Sequence, residues 1–472
     1  MFNPYQTILS LYRSVFGHLM PPESFRQLLF IHGFRLILFS ALMLSPLLLL
    51  SSADATQPGN SLSYSPEDNL LEFEDQQPVF SLKGQYKNQF IYTSSDEAST
   101  DSEMPPQSDL LTDVNRLRIS PEYRADDNFI IHADIDNEIY AANHIGTRAF
   151  EQFWFPSDFN DLYTDSRKVS IGEDLLYRIK LHRLYIKAVT GRFTITAGRQ
   201  QIRFGSGRLW NPLDILNPIS PTFVEGAEDQ KGTDALRVEY YPGVATEISF
   251  VYAPKRIEDR LDADIFINKN THAVWRIRTT TGNTDIAALG GRLSQKNIFG
   301  MDGASIVHDG MLRASLLYSV PDSGGAYVQA SSGFEYTFSN GLYVLIEYFY
   351  NQNALSRNPD LLSAFSDSLS SAITEDRYAL LANQFLTFNR HYAGIALGFD
   401  LTPLLRGDVF VIGDIDGTGL FASPSLTYNL LQDLDISATL LWGTVFKGAD
   451  YPSDFQDFEE HPLLSVAATW YF

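Results

Sequence analysis

The chain has 472 residues, of which 44% are hydrophobic, 13% aromatic and 19% charged. This composition is too apolar for a disordered chain and not apolar enough for a bundle of membrane helices. The chain contains no cysteine, which excludes disulfides, zinc–thiolate sites, iron–sulfur clusters and cysteine nucleophiles. The net charge of −22 argues against a nucleic-acid partner bound through broad positive charge.

The N-terminal region has the features of a secretory signal. Arg26 and Arg35 precede the apolar run 36–50, and a stretch of small residues then leads to Ala55. A positive flank, a short apolar core and a small-residue cleavage site are typical of an export signal. The run is shorter than the ~20 residues of a spanning helix, so an uncleaved anchor is the less favoured alternative. The predicted domains are a signal peptide at 1–55, a periplasmic N-terminal segment at 56–78 and a β-barrel at 79–472.

After residue 79, apolar and polar side chains alternate. The segments that show this most clearly are 80–92, 328–338, 342–350 and 464–472. Side chains of a strand point alternately to opposite sides, so each segment is apolar on one face and polar on the other. A soluble sandwich alternates in the same way. These segments are longer than ordinary strands, however, and they are long enough for a tilted crossing of a bilayer.

The C-terminus adds a second indication. The chain ends on Phe472, at the end of an amphipathic segment, and aromatic residues such as Tyr92, Tyr350 and Trp470 gather near segment ends. Aromatic girdles mark the interfaces of outer-membrane barrels. We therefore predict a Gram-negative outer-membrane location, contacts with lipid and lipopolysaccharide, and recognition of Phe472 by the barrel-assembly machinery.

Seventeen strands can be identified directly, at 79–93, 113–124, 128–141, 175–190, 192–204, 233–241, 244–254, 271–280, 284–296, 310–320, 326–338, 341–353, 389–402, 404–414, 419–430, 433–446 and 462–472. Single-chain bacterial barrels have an even number of strands, with short periplasmic turns and long outer loops. When strands are counted from the N-terminus and from Phe472, both counts put the short turns on the periplasmic side, but the two counts conflict around 297–309. One more strand near 298–307 removes the conflict. We therefore predict an all-β fold, a transmembrane antiparallel up-and-down β-barrel of 18 strands, with 16 as the alternative.

The remaining segments are predicted loops. The long outer loops are 94–112, 141–174, 205–232, 254–270, 354–388 and 447–461. Much of the negative charge lies in them, including Asp96, Glu97, Asp101, Glu103, Asp450, Asp454, Asp457, Glu459 and Glu460. These carboxylates are either divalent-cation ligands beside lipopolysaccharide or ordinary solvated charges. The segment 359–381 has helical periodicity and predicts a short helix that enters or caps the pore.

The polar faces would line the interior of such a barrel. The predicted solute path consists of Lys83, Lys87, Arg116, Arg118, Arg178, Lys180, Arg199, Gln201, Arg203, Arg237, Arg276 and Arg278. Carboxylates are interleaved with these cations, at Glu122, Asp134, Asp136, Glu138, Glu239 and Glu247. Two hypotheses follow. The cations form a basic track that concentrates an anionic solute, or the opposite charges pair and only brace the wall.

The densest local motif is 198–214, GRQQIRFGSGRLWNPLD. Its apolar face changes sides near Gly198, which predicts a β-bulge there. The residues expected to turn inward together are Arg199, Gln201 and Arg203. The following stretch, 205–221, predicts a stiff outer loop that folds inward, either as a constriction or as a packed plug. The residues of the predicted constriction are Trp210, Asn211 and Asp214.

A family resemblance appears in the same motif. Gly198-Arg199-Gln200, followed by the aromatic–glycine pair 204–205, is similar to the mid-barrel motif of alginate-export-like outer-membrane porins. The segments 390–392 (Arg-His-Tyr) and 402–405 (Thr-Pro-Leu-Leu) resemble other barrels of that group. The resemblance implies an 18-stranded barrel whose basic interior passes an anionic polysaccharide, with Arg199 and Gln200 as the matching positions. The interleaved carboxylates depart from a purely basic lumen.

Two other classes of protein are alternatives to a channel. A barrel hydrolase would need an activated nucleophile, and the polar groups with the right chemistry are His132, Asp134, Asp136 and His182. The sequence contains no G-x-S-x-G, H-E-x-x-H or P-loop pattern. A plugged structural or adhesive barrel is the third class. We predict a porin-type channel for anionic or polar solutes, acidic saccharides among them, with no enzymatic activity, cofactor or metal.

Overall fold

The computed structural model describes residues 79–95, 108–154, 166–216, 232–254, 271–369, 385–417, 419–446 and 453–472. These residues form one antiparallel sheet whose strands follow each other in chain order. The first strand pairs with the last, from Gln85 opposite Tyr471 to Tyr92 opposite Leu464, so the sheet closes into a barrel. The predicted signal peptide at 1–55 and the segment 56–78 lie outside the described residues.

The strands are β1 (Val79–Ser95), β2 (Ser108–Asp126), β3 (Phe129–Ala142), β4 (Ser166–Ser170), β5 (Leu175–Thr190), β6 (Phe193–Gln200), β7 (Thr233–Gly243), β8 (Thr246–Ala253), β9 (His272–Thr281), β10 (Thr284–Leu293), β11 (Lys296–Val307), β12 (Gly310–Pro321), β13 (Tyr327–Thr337), β14 (Tyr343–Asn351), β15 (His391–Thr402), β16 (Leu405–Asp414), β17 (Gly419–Leu431), β18 (Leu434–Val445) and β19 (Leu463–Tyr471). The short strand β4 pairs with the upper half of β5, beyond the stretch of β5 that pairs with β6. The other 18 strands form the closed wall.

The prediction of 18 strands is confirmed, including β11, which was inferred only from turn parity. Tight connections alternate with longer ones around most of the barrel, so we call the two ends of the barrel the turn end and the loop end. The exception is β10–β11, which are joined at the loop end by a two-residue turn. Three details differ from the prediction. Strand β2 begins at Ser108, inside the predicted outer loop 94–112. The short strand β4 was not expected, because Ser-Arg-Lys-Val-Ser does not alternate in polarity, and β6 ends at Gln200 instead of 204.

Strand alternation separates an apolar exterior from a polar interior. On β14, Val344, Ile346 and Tyr348 face outward, and Ile346 is 57% exposed. Their neighbours Glu347 and Asn351 face inward and are buried. An antiparallel barrel with lipid outside and water inside requires this arrangement.

Two apolar clusters lie inside the wall. One joins inward-facing residues of β7–β12, such as Val251 and Leu289, to residues 202–216. The other lies at the loop end and includes Tyr140, Trp210, Phe349 and Phe455. The helices are α1 (Arg148–Trp154), a 3-10 turn (Leu355–Arg357), α2 (Pro359–Leu369) and α3 (Gln456–Glu460). None of the helices described is both long enough and apolar enough to cross a membrane.

Helix α2 confirms the helical periodicity predicted from residue 359, as far as residue 369. The rest of that prediction, 370–381, lies outside the described residues. Leu361 and Ala364 of α2 are buried against Leu355, with Phe365 and Phe388 beside them.

Candidate functional site: the barrel lumen

One buried carboxylate on β3 is shared by two arginines. Glu138 is fully buried and accepts a hydrogen bond from Arg116 Nε at 2.8 Å and a very short one from Arg178 Nε. The strand register brings the three side chains together, because Glu138 lies directly opposite Arg116 on β2 and Arg178 on β5. Residues opposite each other in antiparallel strands share a face. The pair of arginines therefore keeps a surplus of positive charge inside the wall.

The next row toward the turn end repeats the pattern on the same strands. Arg118 donates two hydrogen bonds to Asp136, at 2.6 and 2.9 Å, and His182 Nδ1 lies 3.8 Å from the same carboxylate. Below it, Asp134 lies 3.1 Å from His132 Nε2 and 3.7 Å from Arg183. Each carboxylate of β3 is therefore in contact with more than one cationic or titratable group.

Cations outnumber carboxylates on this side of the lumen. The inward-facing cations of β1, β2 and β5 are Lys83, Lys87, Arg116, Arg118, Arg124, Arg178, Lys180, Arg183 and Lys187. The inward-facing carboxylates of β2 and β3 are Glu122, Asp134, Asp136 and Glu138. On β1–β5, ion pairs therefore occur together with an excess of cationic side chains, so neither of the two hypotheses drawn from the sequence excludes the other. A basic track as the solute path stays a prediction.

A second group of shared carboxylates lies on β7–β10. Glu247 lies 3.7 Å from Arg237 and 3.6 Å from Arg276. Arg276 also lies over the ring of Phe204, 5.5 Å from its centre. Nearer the turn end, Arg278 pairs with Asp285 at 2.7 Å. All three predicted cations of this region thus line the lumen in ion pairs.

The segment after β6 leaves the wall and runs inside the barrel. Ile202, Phe204 and Leu213 are buried against inward-facing residues of β7–β12, and Trp210 stacks on Phe349 with ring centres 5.7 Å apart. Gly205 permits the departure, because its backbone has φ +80° and a Cβ would lie 2.0 Å from Asn211 Oδ1. We call residues 201–216 the inner segment.

Three carboxylates of the opposite wall hold the inner segment. Glu347 accepts hydrogen bonds from the backbone N–H groups of Arg208, Leu209 and Trp210, at 3.0, 3.1 and 2.6 Å. Asp302 accepts from the N–H and hydroxyl of Ser206, at 3.1 and 2.8 Å.

The third carboxylate, Glu335, receives Arg208 Nε at 3.0 Å and also pairs with Arg313. The three successive N–H groups that bind Glu347 form an anion-binding nest. The sequence pattern placed Glu335 and Glu347 on polar faces, but nothing in it could connect them to residues more than a hundred positions earlier.

The residues of the predicted constriction have the following positions. Trp210, Asn211 and Asp214 are all buried in the inner segment. Asp214 lies 3.7 Å from Arg203, whose side chain is 41% exposed to the lumen. Gln201 accepts a hydrogen bond from Arg183 at 2.9 Å. A role of these residues in the passage of solute stays a prediction.

Arg199 has different neighbours from Gln201 and Arg203, with which it was predicted to turn inward. Arg199 lies opposite Leu184 and Asp234, and Leu184 faces outward. Arg199 is 3% exposed and donates to both oxygens of Asp234, at 2.9 and 2.7 Å. The expected bulge at Gly198 is also absent, since the ladder is continuous there. Gly198 instead has φ +119°, and the bulge of this region lies on β5 at His182.

The groups considered for hydrolysis do not form a nucleophile–base arrangement in the described part of the chain. Ser120 donates to Asp134 at 2.6 Å, and His132 contacts Asp134 and Glu122 while stacking on Tyr185. A serine nucleophile would instead need its hydroxyl hydrogen-bonded to the histidine. No cluster of metal-ligating side chains occurs among the residues described.

Two acidic residues of the predicted outer loops bind other parts of the chain. Glu459 accepts hydrogen bonds from Thr444 Oγ1 and the Val445 N–H of β18, at 3.0 and 3.3 Å. Asp454 accepts hydrogen bonds from the N–H of Phe388, at 3.1 and 3.2 Å, and a short one from the Tyr392 hydroxyl. Burial raises the pKa of Asp454 to about 6, although those hydrogen bonds oppose the rise. Asp454 therefore joins two connections at the loop end. The acidic residues at 96–103 and Asp450 lie outside the described residues.

Comparison with known proteins adds the following. No protein-family model and no curated protein matches the chain. Solved structures that are similar include OccK8 (OprE) of Pseudomonas aeruginosa, with 9% identity, 83% of this chain and 98% of that chain covered, and a TM-score of 0.48. OccAB4 of Acinetobacter baumannii has 11% identity, 84% and 99% coverage and a TM-score of 0.46. At this level of likeness, the functional interpretation rests on the barrel itself, and the alginate-export-like resemblance stays a prediction.

Proposed function

We propose that the protein is an outer-membrane channel for small polar or anionic solutes, with acidic saccharides among the candidates. The observation that carries the proposal is a closed barrel with an apolar exterior and a lumen in which cations outnumber carboxylates on β1–β5. Charge inside a low-dielectric wall is focused toward the pore axis, so this surplus raises the local concentration of anions.

The shared carboxylates support the choice of anions. Glu138 and Glu335 each contact two arginines, so each of these two clusters keeps a positive charge when its carboxylate is paired. The cluster of Glu247 is balanced, because Arg237 also pairs with Glu239 at 2.6 Å. Arg203 and Arg208 extend the positive charge to the inner segment, and their side chains are 41% and 54% exposed. A solute that passes the inner segment would come close to these two guanidinium groups.

The test is conductance in planar lipid bilayers. Purified protein should give discrete conductance steps, and reversal potentials under a salt gradient should show preference for anions. Replacing both exposed arginines, as Arg203→Gln with Arg208→Gln, should lower that preference by about twofold or more, since the surplus that favours anions is reduced. Arg292→Gln is the matched control, because Arg292 faces outward and pairs with Asp322 at the end of β10.

A plugged barrel is the competing function, and one observation favours it. The inner segment is packed into both apolar clusters and pinned by three carboxylates, as a plug would be. A protein that folds but stays closed at all voltages and salt conditions would support the plugged barrel and contradict the channel.

A further inference from the structure

The outer surface of β1–β3 differs from the rest of the barrel exterior. From β4 to β19, the described outward-facing Asn, Asp, Lys, Arg and His side chains lie within two positions of a strand end. On β1, β2 and β3, Asn88, Asn115 and Asn137 face outward in the strand interior, with Asp113 beside them. We call these three asparagines the asparagine band.

Alternation and register fix the outward direction of the band. On β1, the lumen-facing residues Gln89 and Ile91 are each 4% exposed, so Asn88 belongs to the opposite face. Asn88 lies directly opposite Asn115, and Asn115 lies opposite Ile139. Apolar residues on the same outward faces surround the band on every side: Leu82, Phe90, Leu111, Leu117, Ile135, Ile139 and Ile179.

Hydrogen bonds within the barrel satisfy only some of the donor and acceptor atoms of the asparagine band. Asn88 Nδ2 donates to Asp113 at 2.7 Å and to Asn115 Oδ1 at 3.2 Å. Asn115 Nδ2 also donates to Asp113, and tyrosine hydroxyls donate to Asn115 and Asn137 from either side. Within the described ranges, this leaves Asn88 Oδ1 as an acceptor and Asn137 Nδ2 as a donor with no partner. Acyl chains supply no hydrogen bonds, so an exterior of this kind is costly against lipid.

We propose that the asparagine band is the contact surface of a two-fold dimer of this chain within the membrane. In a two-fold interface, residue i meets residue j and j meets i. The free acceptor lies on β1 and the free donor lies on β3, on opposite sides of Asn115 on β2. A two-fold axis that runs along the membrane normal near Asn115 therefore places Asn88 of one copy opposite Asn137 of the other. Symmetry repeats the contact, so the dimer contains two such pairs.

Hydrogen-bond chemistry favours a second copy over lipopolysaccharide. The phosphates of that lipid supply only acceptors, so they could meet the Asn137 donor but would leave the Asn88 acceptor without a partner. A second copy supplies both a donor and an acceptor in matching positions.

Cross-linking can test the geometry directly, because the chain contains no cysteine. The variant Asn115→Cys in outer-membrane vesicles should give a covalent dimer with a short bis-maleimide. The matched control Ile346→Cys, an exposed outward position on β14, should stay monomeric. Equal cross-linking at both sites, none at Asn115→Cys, or cross-linking to a different protein would overturn the proposal.

A second measurement tests the hydrogen bonds. The double variant Asn88→Leu with Asn137→Leu should weaken dimerisation by about tenfold in analytical ultracentrifugation in detergent, since two hydrogen bonds are lost. Ser332→Leu, an outward-facing polar-to-apolar change on β13, should leave it unchanged. Dimerisation that is equally strong in the double variant would contradict the proposal. Conductance is not a readout here, so failure of the proposed channel function would leave both results interpretable.

Discussion

At the residue scale, the local charge of the lumen depends on how many arginines share each carboxylate. Burying an ion costs several kcal/mol unless its partner and remaining hydrogen bonds are well placed. Glu138 meets this condition through Arg116, Arg178 and the Tyr140 hydroxyl, which donates to it at 2.9 Å. One carboxylate that holds two guanidinium groups orders both of them and leaves the cluster cationic.

Glu347 provides a prediction at this scale. The variant Glu347→Ala removes the acceptor of three N–H groups, and each buried donor left unpaired costs about 1–3 kcal/mol. We expect the amides of residues 208–210 to exchange with deuterium about tenfold faster or more, and the open-channel current to become noisier.

The matched control for that experiment is Glu335→Gln. Among the described residues, Glu335 contacts the side chain of Arg208 and accepts no hydrogen bond from those three amides. Its variant should leave their exchange close to that of the unmodified protein. Exchange that is unchanged in Glu347→Ala would show that Trp210 packing alone fixes the inner segment.

At the element scale, the inner segment explains why β6 is short. Its polar groups bind carboxylates of β11, β13 and β14, and its apolar side chains fill the space inside β7–β12. Above the end of β6, β4 takes over the pairing with β5. The local pattern at 192–204 alternates like a strand, but the packing of Ile202 and Phe204 inside the barrel outweighs the ladder hydrogen bonds that the segment gives up.

Asp454 gives a pH prediction for the connections at the loop end. Its pKa is raised to about 6 by burial, above the ordinary value of an aspartate, so the folded form binds the proton more tightly. The stabilisation is therefore complete below about pH 4 and is lost as the pH rises through about 6. After correction for intrinsic rates, the Phe388 amide should be better protected at pH 4 than at pH 7.5.

Asp454→Asn should remove most of this dependence, because the amide cannot ionise. Asp457→Asn serves as the control, since Asp457 is exposed in the neighbouring helix α3. An unmodified protein whose Phe388 protection rises with pH would contradict the sign of the effect. The groups that face Asp454 are Tyr392, Asp414 and the Phe388 N–H, and the charge of Asp414 strengthens the trend.

At the scale of the whole molecule, closure depends on the chain terminus. Gly84 and Phe472 exchange backbone hydrogen bonds of 2.8 and 3.0 Å, and the Phe472 ring lies over Gly84. A Cβ at position 84 would be 2.2 Å from two ring atoms. The glycine therefore provides the space in which the terminal ring packs on the barrel exterior.

Gly84→Val should lower the temperature at which the heat-modifiable folded form is lost on gels. The cost of overpacking is about 1–3 kcal/mol, because the terminal ring must move. Gly303→Val is the matched control on the exterior of β11, where the nearest atom to a new Cβ is 3.9 Å away. Equal stability of the two variants would show that the ring is not part of the seam.

The sequence by itself determined the barrel. A period-two pattern and the parity of short turns suffice for 18 strands, because lipid outside and water inside impose alternation on every strand, and closure through antiparallel pairs alone requires an even count. Strand interiors such as 342–350 were therefore predictable residue by residue. The predictions for the leader and for the acidic residues at 96–103 lie outside the described residues.

Only the tertiary structure decided which lumen charges meet and where the inner segment lies. Glu347 and Trp210 are 137 positions apart, and their contact depends on the width of the closed barrel and on the packing of Trp210 against Phe349. The orientation of Arg199 likewise depends on how β6 pairs with β5 on one side and with β7 on the other. Local alternation specifies the face of a side chain within one strand, but partners across the lumen are set by three-dimensional packing, which one-dimensional spacing does not encode.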